Sequence, residues 1–176
     1  YPSITVDPSD DLHVVYYKKD PDIGYTKIYT TRSTDGGATW TVEGNRLENP
    51  DNYHLYDIAR TSSGTVIIVG EAGTLLRSPD DGNEWERVDA AYTGSYFGAV
   101  APSDGSLLVF GLRGNAFRST DEGASWLAVD TGDQRTLMGG TASDDGSVIL
   151  AGAAGAVLRS TDAGATFDVI PTTGNR

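Results

Sequence analysis

Apolar runs of roughly four to seven residues recur along this chain, each closed by a cluster of Gly, Asp, Ser or Pro. The clearest are 66–69, 107–110 and 148–151, solid blocks of Val, Ile, Leu, Phe and Ala. A turn precedes each block, centred on Gly64, Gly105 and Gly146, and these glycines stand 41 residues apart. Before each turn comes another run, at 55–60, 96–101 and 137–142. After each block a Gly-x-x-Gly turn leads into a run that ends Arg77-Ser78, Arg118-Ser119 or Arg159-Ser160. β-branched and aromatic residues dominate, turns fall about every ten residues, and no window carries a capped helical stripe, so the segments read as strands. The pattern predicts four strands per repeat, the last starting at Trp40, Trp85, Trp126 and Phe167.

One phrase punctuates the repeats. It runs through Ser33, Asp35, Gly37 and Trp40, then Ser78, Asp80, Gly82 and Trp85, then Ser119, Asp121, Gly123 and Trp126, then Ser160, Asp162, Gly164 and Phe167. Its serines are 45, 41 and 41 residues apart. Four antiparallel strands in a repeat of about 40–45 residues is the pattern of a β-propeller blade. The predicted fold is therefore all-β, with blades at approximately 1–48, 49–92, 93–133 and 134–174. Small residues at Gly98, Ala99, Gly139 and Gly140 fit inner strands crowding a central channel. Asp and Ser side chains suit a tight turn, glycine suits a strained backbone angle, and the aromatic is expected to be buried between neighbouring blades. Four equivalent aspartates spread round a ring cannot converge on one substrate atom, so a structural role is expected for the phrase. Four blades would leave two outer faces bare, which predicts either further blades or two chains closing one larger ring.

Composition narrows the partner. The net charge is −12 and cysteine is absent, which argues against nucleic acid or an anionic membrane and removes disulfides and thiolate sites. No apolar run approaches the roughly 18 residues of a membrane span. The chain opens on Tyr1 and its one methionine is Met138, so it reads as a processed or excised piece of a longer protein. No cofactor or metal is expected: His13 and His54 fall in different repeats, and Asp7, Asp10 and Asp11 read as a turn.

The phrase Ser-x-Asp-x-Gly-x-Thr-Trp resembles the Asp-box, or BNR repeat. Its longer form, with Gly-x-x-Gly and Arg-Ser ahead of it, resembles the photosystem II stability/assembly factor-like family across residues 55–173. The first repeat, with Ile4-Thr-Val6 and His13-Val-Val-Tyr-Tyr17, looks more like a sialidase blade. The resemblance implies a propeller without enzymatic activity, a scaffold or assembly role, and an extracytoplasmic location; it does not imply photosynthesis.

Asp-box proteins resemble one another in placing ligand sites on the face opposite the boxes. Here that face collects the loops 45–56, 90–97 and 131–137 and the Gly-x-x-Gly turns. Its candidate binding residues are Tyr53, His54, Tyr92, Tyr96, Arg113 and Arg135, with Tyr56, Phe97 and Arg46 nearby. Aromatics and arginines together suit a protein interface, the expected partner, and also a carbohydrate. The alternative is a sialidase-like glycoside hydrolase, which needs three arginines on one carboxylate and a Tyr–acid pair. Neither the spacing of Arg46, Arg113 and Arg135 nor an Arg-Ile-Pro segment supports it, and no catalytic residue is assigned. The box arginines, Arg32, Arg77, Arg118 and Arg159, read as pairing with acids of their own or the next blade, or else as a basic ring for a partner.

Overall fold

The computed structural model describes residues 3–6, 12–19, 26–49, 51 and 53–172. Among these residues, sixteen strands form four antiparallel sheets of four. Blade 1 holds β1 (Ser3–Val6), β2 (Leu12–Lys19), β3 (Thr26–Ser33) and β4 (Thr41–Asn49). Blade 2 holds β5 (Leu55–Arg60), β6 (Val66–Gly70), β7 (Leu75–Ser78) and β8 (Glu86–Arg87). Blade 3 holds β9 (Tyr96–Val100), β10 (Leu107–Gly111), β11 (Ala116–Ser119) and β12 (Leu127–Val129). Blade 4 holds β13 (Leu137–Ala142), β14 (Val148–Gly152), β15 (Ala156–Ser160) and β16 (Asp168–Val169). The outer strands open one residue after the box aromatic. Asp7, Asp10, Asp11 and the 20–25 stretch of the first repeat lie outside the described residues.

The inner strands β1, β5, β9 and β13 stand side by side in chain order. Together they line an open groove of about 480 Å³. Solid apolar runs follow from sheets covered on both faces. In β6, Val66 and Ile68 join the cluster facing blade 1, while Ile67 and Val69 pack between blades 2 and 3. In β10, Leu107 and Val109 face blade 2, while Leu108 and Phe110 face blade 4. Gly98 and Gly140 make room for the Phe110 ring, whereas a side chain on Gly139 would meet open space. The inner glycines thus answer to the blade 3–4 packing, and Gly139 to no contact at all.

Each box closes its turn with its own side chains. Ser33, Ser78, Ser119 and Ser160 donate to the following aspartate at 2.7–2.9 Å and accept the glycine N–H at 2.8–2.9 Å. The aspartate then takes the N–H four residues on: Thr39, Glu84, Ser125 or Thr166, at 2.8–2.9 Å. The residue before each glycine, Gly36, Asp81, Glu122 or Ala163, is left-handed at φ +56 to +68°, and the glycine follows at +80 to +92°. Thr39, Ser125 and Thr166 add hydroxyl bonds at 2.6–2.7 Å. Bonds led by those of Thr39 to Asp35, Ser125 to Asp121 and Ser160 to Asp162 hold these three carboxyls at about 2.

The box aromatics are less buried than the sequence suggested. Trp85, Trp126 and Phe167 are half-buried against the cores, and Trp40 is 41% exposed. The indole N–H bonds of Trp40, Trp85 and Trp126 to the box glycine carbonyl, each 3.0 Å, hold the ring at the sheet edge. Trp126 and Phe167 lie against the preceding blade, and Trp40 has no described blade to lie against.

The box arginines join blades. Arg77 Nε donates to the Glu122 carbonyl at 2.5 Å and Arg118 Nε to the Ala163 carbonyl at 2.9 Å, each reaching the next blade's box turn. Their remaining nitrogens pair with Glu86 at 2.6 Å and Asp104 at 2.7 Å. For Arg77 and Arg118, pairing within and between blades is therefore what the geometry supports.

Candidate functional site

The inner strands of blades 2 to 4 each begin with a β-bulge. Leu55 pairs with Gly70 and Asp57 with Val69, leaving Tyr56 as the extra residue. The same count in blade 3 leaves Phe97 between Tyr96 and Gly98, and in blade 4 leaves Met138 between Leu137 and Gly139. A bulge re-aims the side chain it adds. Here it buries Leu55, Tyr96 and Leu137 at 0–3% exposure and turns the next residue outward. Tyr56 and Phe97 are half-exposed, and Met138 is 60% exposed. The result is a row of three large apolar residues, 41 positions apart, at the loop-face start of the inner strands. Tyr56 and Phe97 touch across the blade boundary with ring centroids 5.0 Å apart.

Glu71, in the Gly-x-x-Gly turn of blade 2, organises one end of the row. Its carboxylate accepts the His54 N–H at 2.9 Å and the Tyr56 hydroxyl at 3.0 Å, and lies 3.1 Å from His54 Nδ1. The backbone bond from His54 is the main cause that holds the Glu71 carboxyl below its ordinary range. The His54 ring stacks beside Tyr56, 6.4 Å centroid to centroid at 22°. Its side chain is 53% exposed.

The other candidates fall into separate places. Tyr92 rests on Tyr96 and Phe117, at 5.3 and 5.4 Å, and its hydroxyl donates to the Leu112 carbonyl at 3.1 Å. Burial raises both phenols above their ordinary range. Tyr96 is wholly buried, and its hydroxyl lacks a partner among the described residues, so it cannot touch a binding protein. The expectation for Tyr96 is corrected: the bulge hands its outward place to Phe97. Arg135 is bound to Asp133 through two nitrogens and donates to the Ala154 carbonyl at 3.2 Å. Arg135 is the main cause that brings the Asp133 carboxyl to about 2. Arg113 sits exposed in a left-handed turn position at φ +60°, close enough to Tyr92 to favour its phenolate. Tyr53, next to His54 in sequence, is half-buried. Arg46 belongs to β4, and its side chain lies outside those described.

Residue-type reasoning alone passed over Glu71 and Met138. Met138 had a positional signal, standing 41 residues after Phe97, which stands 41 after Tyr56; Glu71 had none. Of a sialidase-like constellation the structure assembles a Tyr56–Glu71 pair, but the side chain beside Glu71 is His54 rather than an arginine. Among the described residues no group of three or more His, Cys, Asp and Glu is arranged to hold a metal ion. Among them, too, no helix is long and apolar enough to cross a membrane.

A family model described as "Photosynthesis system II assembly factor YCF48" matches residues 8–133. No curated protein matches the chain in sequence. Among solved structures, "YCF48 bound to D1 peptide" is similar with a TM-score of 0.69 and 19% identity, over 100% of this chain and 54% of that one. YCF48 from Cyanidioschyzon merolae is similar at 0.66 and 14% identity, over 99% and 56%. The GH74 enzyme of Niastella koreensis is similar at 0.68 and 22% identity, over 96% of this chain and 24% of that chain. The chain spans about half the length of the two YCF48 structures. At these identities the likenesses show a shared propeller fold.

Proposed function

The chain belongs to the photosynthesis system II assembly factor YCF48 family, and on that premise we propose that it is a non-enzymatic assembly module. It holds a segment of a partner protein on the loop face, across the row Tyr56, Phe97 and Met138. The observation that carries this reading is the row itself: three successive bulges spend a residue each to present a large apolar side chain to solvent. Exposed side chains of this size, with His54 stacked beside Tyr56, have the composition of an interface core with a polar rim. A YCF48 structure holding a D1 peptide supports a polypeptide as the partner's class. The expected location is outside the cytoplasm, as the family resemblance suggested.

The test is cross-linking of the full chain in an extract of its source, with identification of the bound segment, then affinity measurement on that segment. Phe97→Ser and Met138→Ser should each weaken binding by about 2 kcal/mol or more, as interface anchors do. Equal binding by both variants would move the interface elsewhere. The second reading, a glycoside hydrolase, is favoured by one observation, the 3.0 Å Tyr56–Glu71 bond. It requires turnover of a glycoside that disappears in Tyr56→Phe.

A further inference from the structure

The inner strands of blades 2 and 3 are joined by a side chain that the repeat does not call for. Asp57 follows the bulged Tyr56 and pairs with Val69. One carboxylate oxygen accepts the Ile58 N–H at 2.9 Å, which orients the group on its own strand. The other reaches out of the blade and accepts the Ala99 N–H at 3.0 Å. Ala99 belongs to β9, two residues after the bulged Phe97, and is buried. At the positions 41 and 82 residues after Asp57 stand Gly98 and Gly139, which have no side chain to reach a neighbour. The boundary between blades 3 and 4 is filled instead by the Phe110 ring, which lies against Gly98 and Gly140.

A half-buried carboxylate is unfavourable unless its oxygens are bonded, and bonds from N–H groups to an ionised acceptor are strong ones. Blades 3 and 4 form the same sheet with glycine at this place, so the strand does not need the acid to fold. What Asp57 adds is position. Its bond to Ala99 falls within two residues of both Tyr56 and Phe97, whose rings meet at 5.0 Å. Glu71 holds the far end of Tyr56 through the hydroxyl, at 3.0 Å. Tyr56 is thereby tied twice, by its main chain toward blade 3 and by its hydroxyl to the turn of its own blade.

We propose that Asp57 is the positioning residue of the partner site. By bonding Ala99 it holds the start of β5 against the start of β9 and keeps Tyr56 and Phe97 together as one platform. This rests on the reading of Tyr56, Phe97 and Met138 as the surface that holds the partner. Rings already gathered lose less freedom on binding than rings that must be gathered then, which favours affinity. Asp57 acts through the two rings.

The experiment is NMR on the full chain without any partner. It reads the contact between the Tyr56 and Phe97 rings and the exchange rate of the Ala99 N–H. The contact between Tyr92 and Tyr96, 5.3 Å apart in the same pair of blades, serves as the control. In Asp57→Ala the Tyr56–Phe97 contact should be lost, the control contact should remain, and the Ala99 N–H should exchange at least about tenfold faster, as loss of a bond to a charged group implies. Asp57→Asn keeps an oxygen that can accept the same N–H and should keep the ring contact. Asp57→Gly copies the residue that blades 3 and 4 carry, and it should behave as Asp57→Ala does in a fold that thermal melting shows intact. A Tyr56–Phe97 contact that persists in both Asp57→Ala and Asp57→Gly overturns the proposal. So does loss of both contacts alike, which would make Asp57 a general support of the blade, or loss in Asp57→Asn as complete as in Asp57→Ala. Failure of the partner reading shows elsewhere, as equal partner binding by Phe97→Ser and Met138→Ser.

Discussion

Ile67 and Ile149 are two repeats apart, occupy the same place in their blades and pair with the corresponding box arginines. They differ in what covers them: Ile67 is fully buried under blade 3, and Ile149 is half-exposed. Truncating each to Ala therefore separates inter-blade packing from every local effect. Ile67→Ala removes three buried carbons, about 2.4 kcal/mol at about 0.8 kcal/mol per methylene. The hole is bounded by two sheets and the Gly123 turn, which cannot collapse freely, so the expected cost is about 3–4 kcal/mol. Ile149→Ala removes carbons already half in water, and about 1 kcal/mol is expected. Equilibrium unfolding in urea reads both. With m of about 2 kcal/mol/M, the midpoint should fall by about 1.5–2 M for Ile67→Ala and about 0.5 M for Ile149→Ala. Equal shifts would refute the claim that the blade 2–3 interface, rather than the strand's own sheet, holds Ile67.

Acid should loosen the boxes. Asp35, Asp121 and Asp162 titrate at about 2 when folded against 3.8 ordinarily, so their stabilisation is complete above pH 3.8 and is lost as pH falls through about 2. Asp121→Asn should flatten the decline in melting temperature between pH 4 and pH 2; an unchanged slope would count against the box bonds as its source. Trp126→Ala should cost about 2–4 kcal/mol, below full aromatic burial because the ring is half-covered; a chemical-denaturation change under 1 kcal/mol would show that it packs on nothing. Sialosides and aryl glycosides should not be hydrolysed, and turnover that survives repurification and vanishes in Tyr56→Phe would reverse that expectation.

The boxes were legible in sequence because their chemistry is local. The bonds from Ser119 to Asp121 and from Ser125 to Asp121 span two and four residues, and the left-handed turn they close calls for Gly123. The same locality made the strands and the 41-residue period readable. Which of two adjacent aromatics faces a partner was not local. Tyr96 and Phe97 are equivalent as residue types, and a bulge set by pairing with Gly111 and Phe110 sends one inward and the other out. Nor could the sequence show that Glu71 gathers His54 and Tyr56, because that contact needs the blade 2 turn folded back over 15–17 residues. The coverage of Ile67 against that of Ile149, and of Trp126 against that of Trp40, is decided by a neighbouring blade. Burial between sheets is a property of two repeats in space, and a residue's own repeat carries no record of whether the other is there.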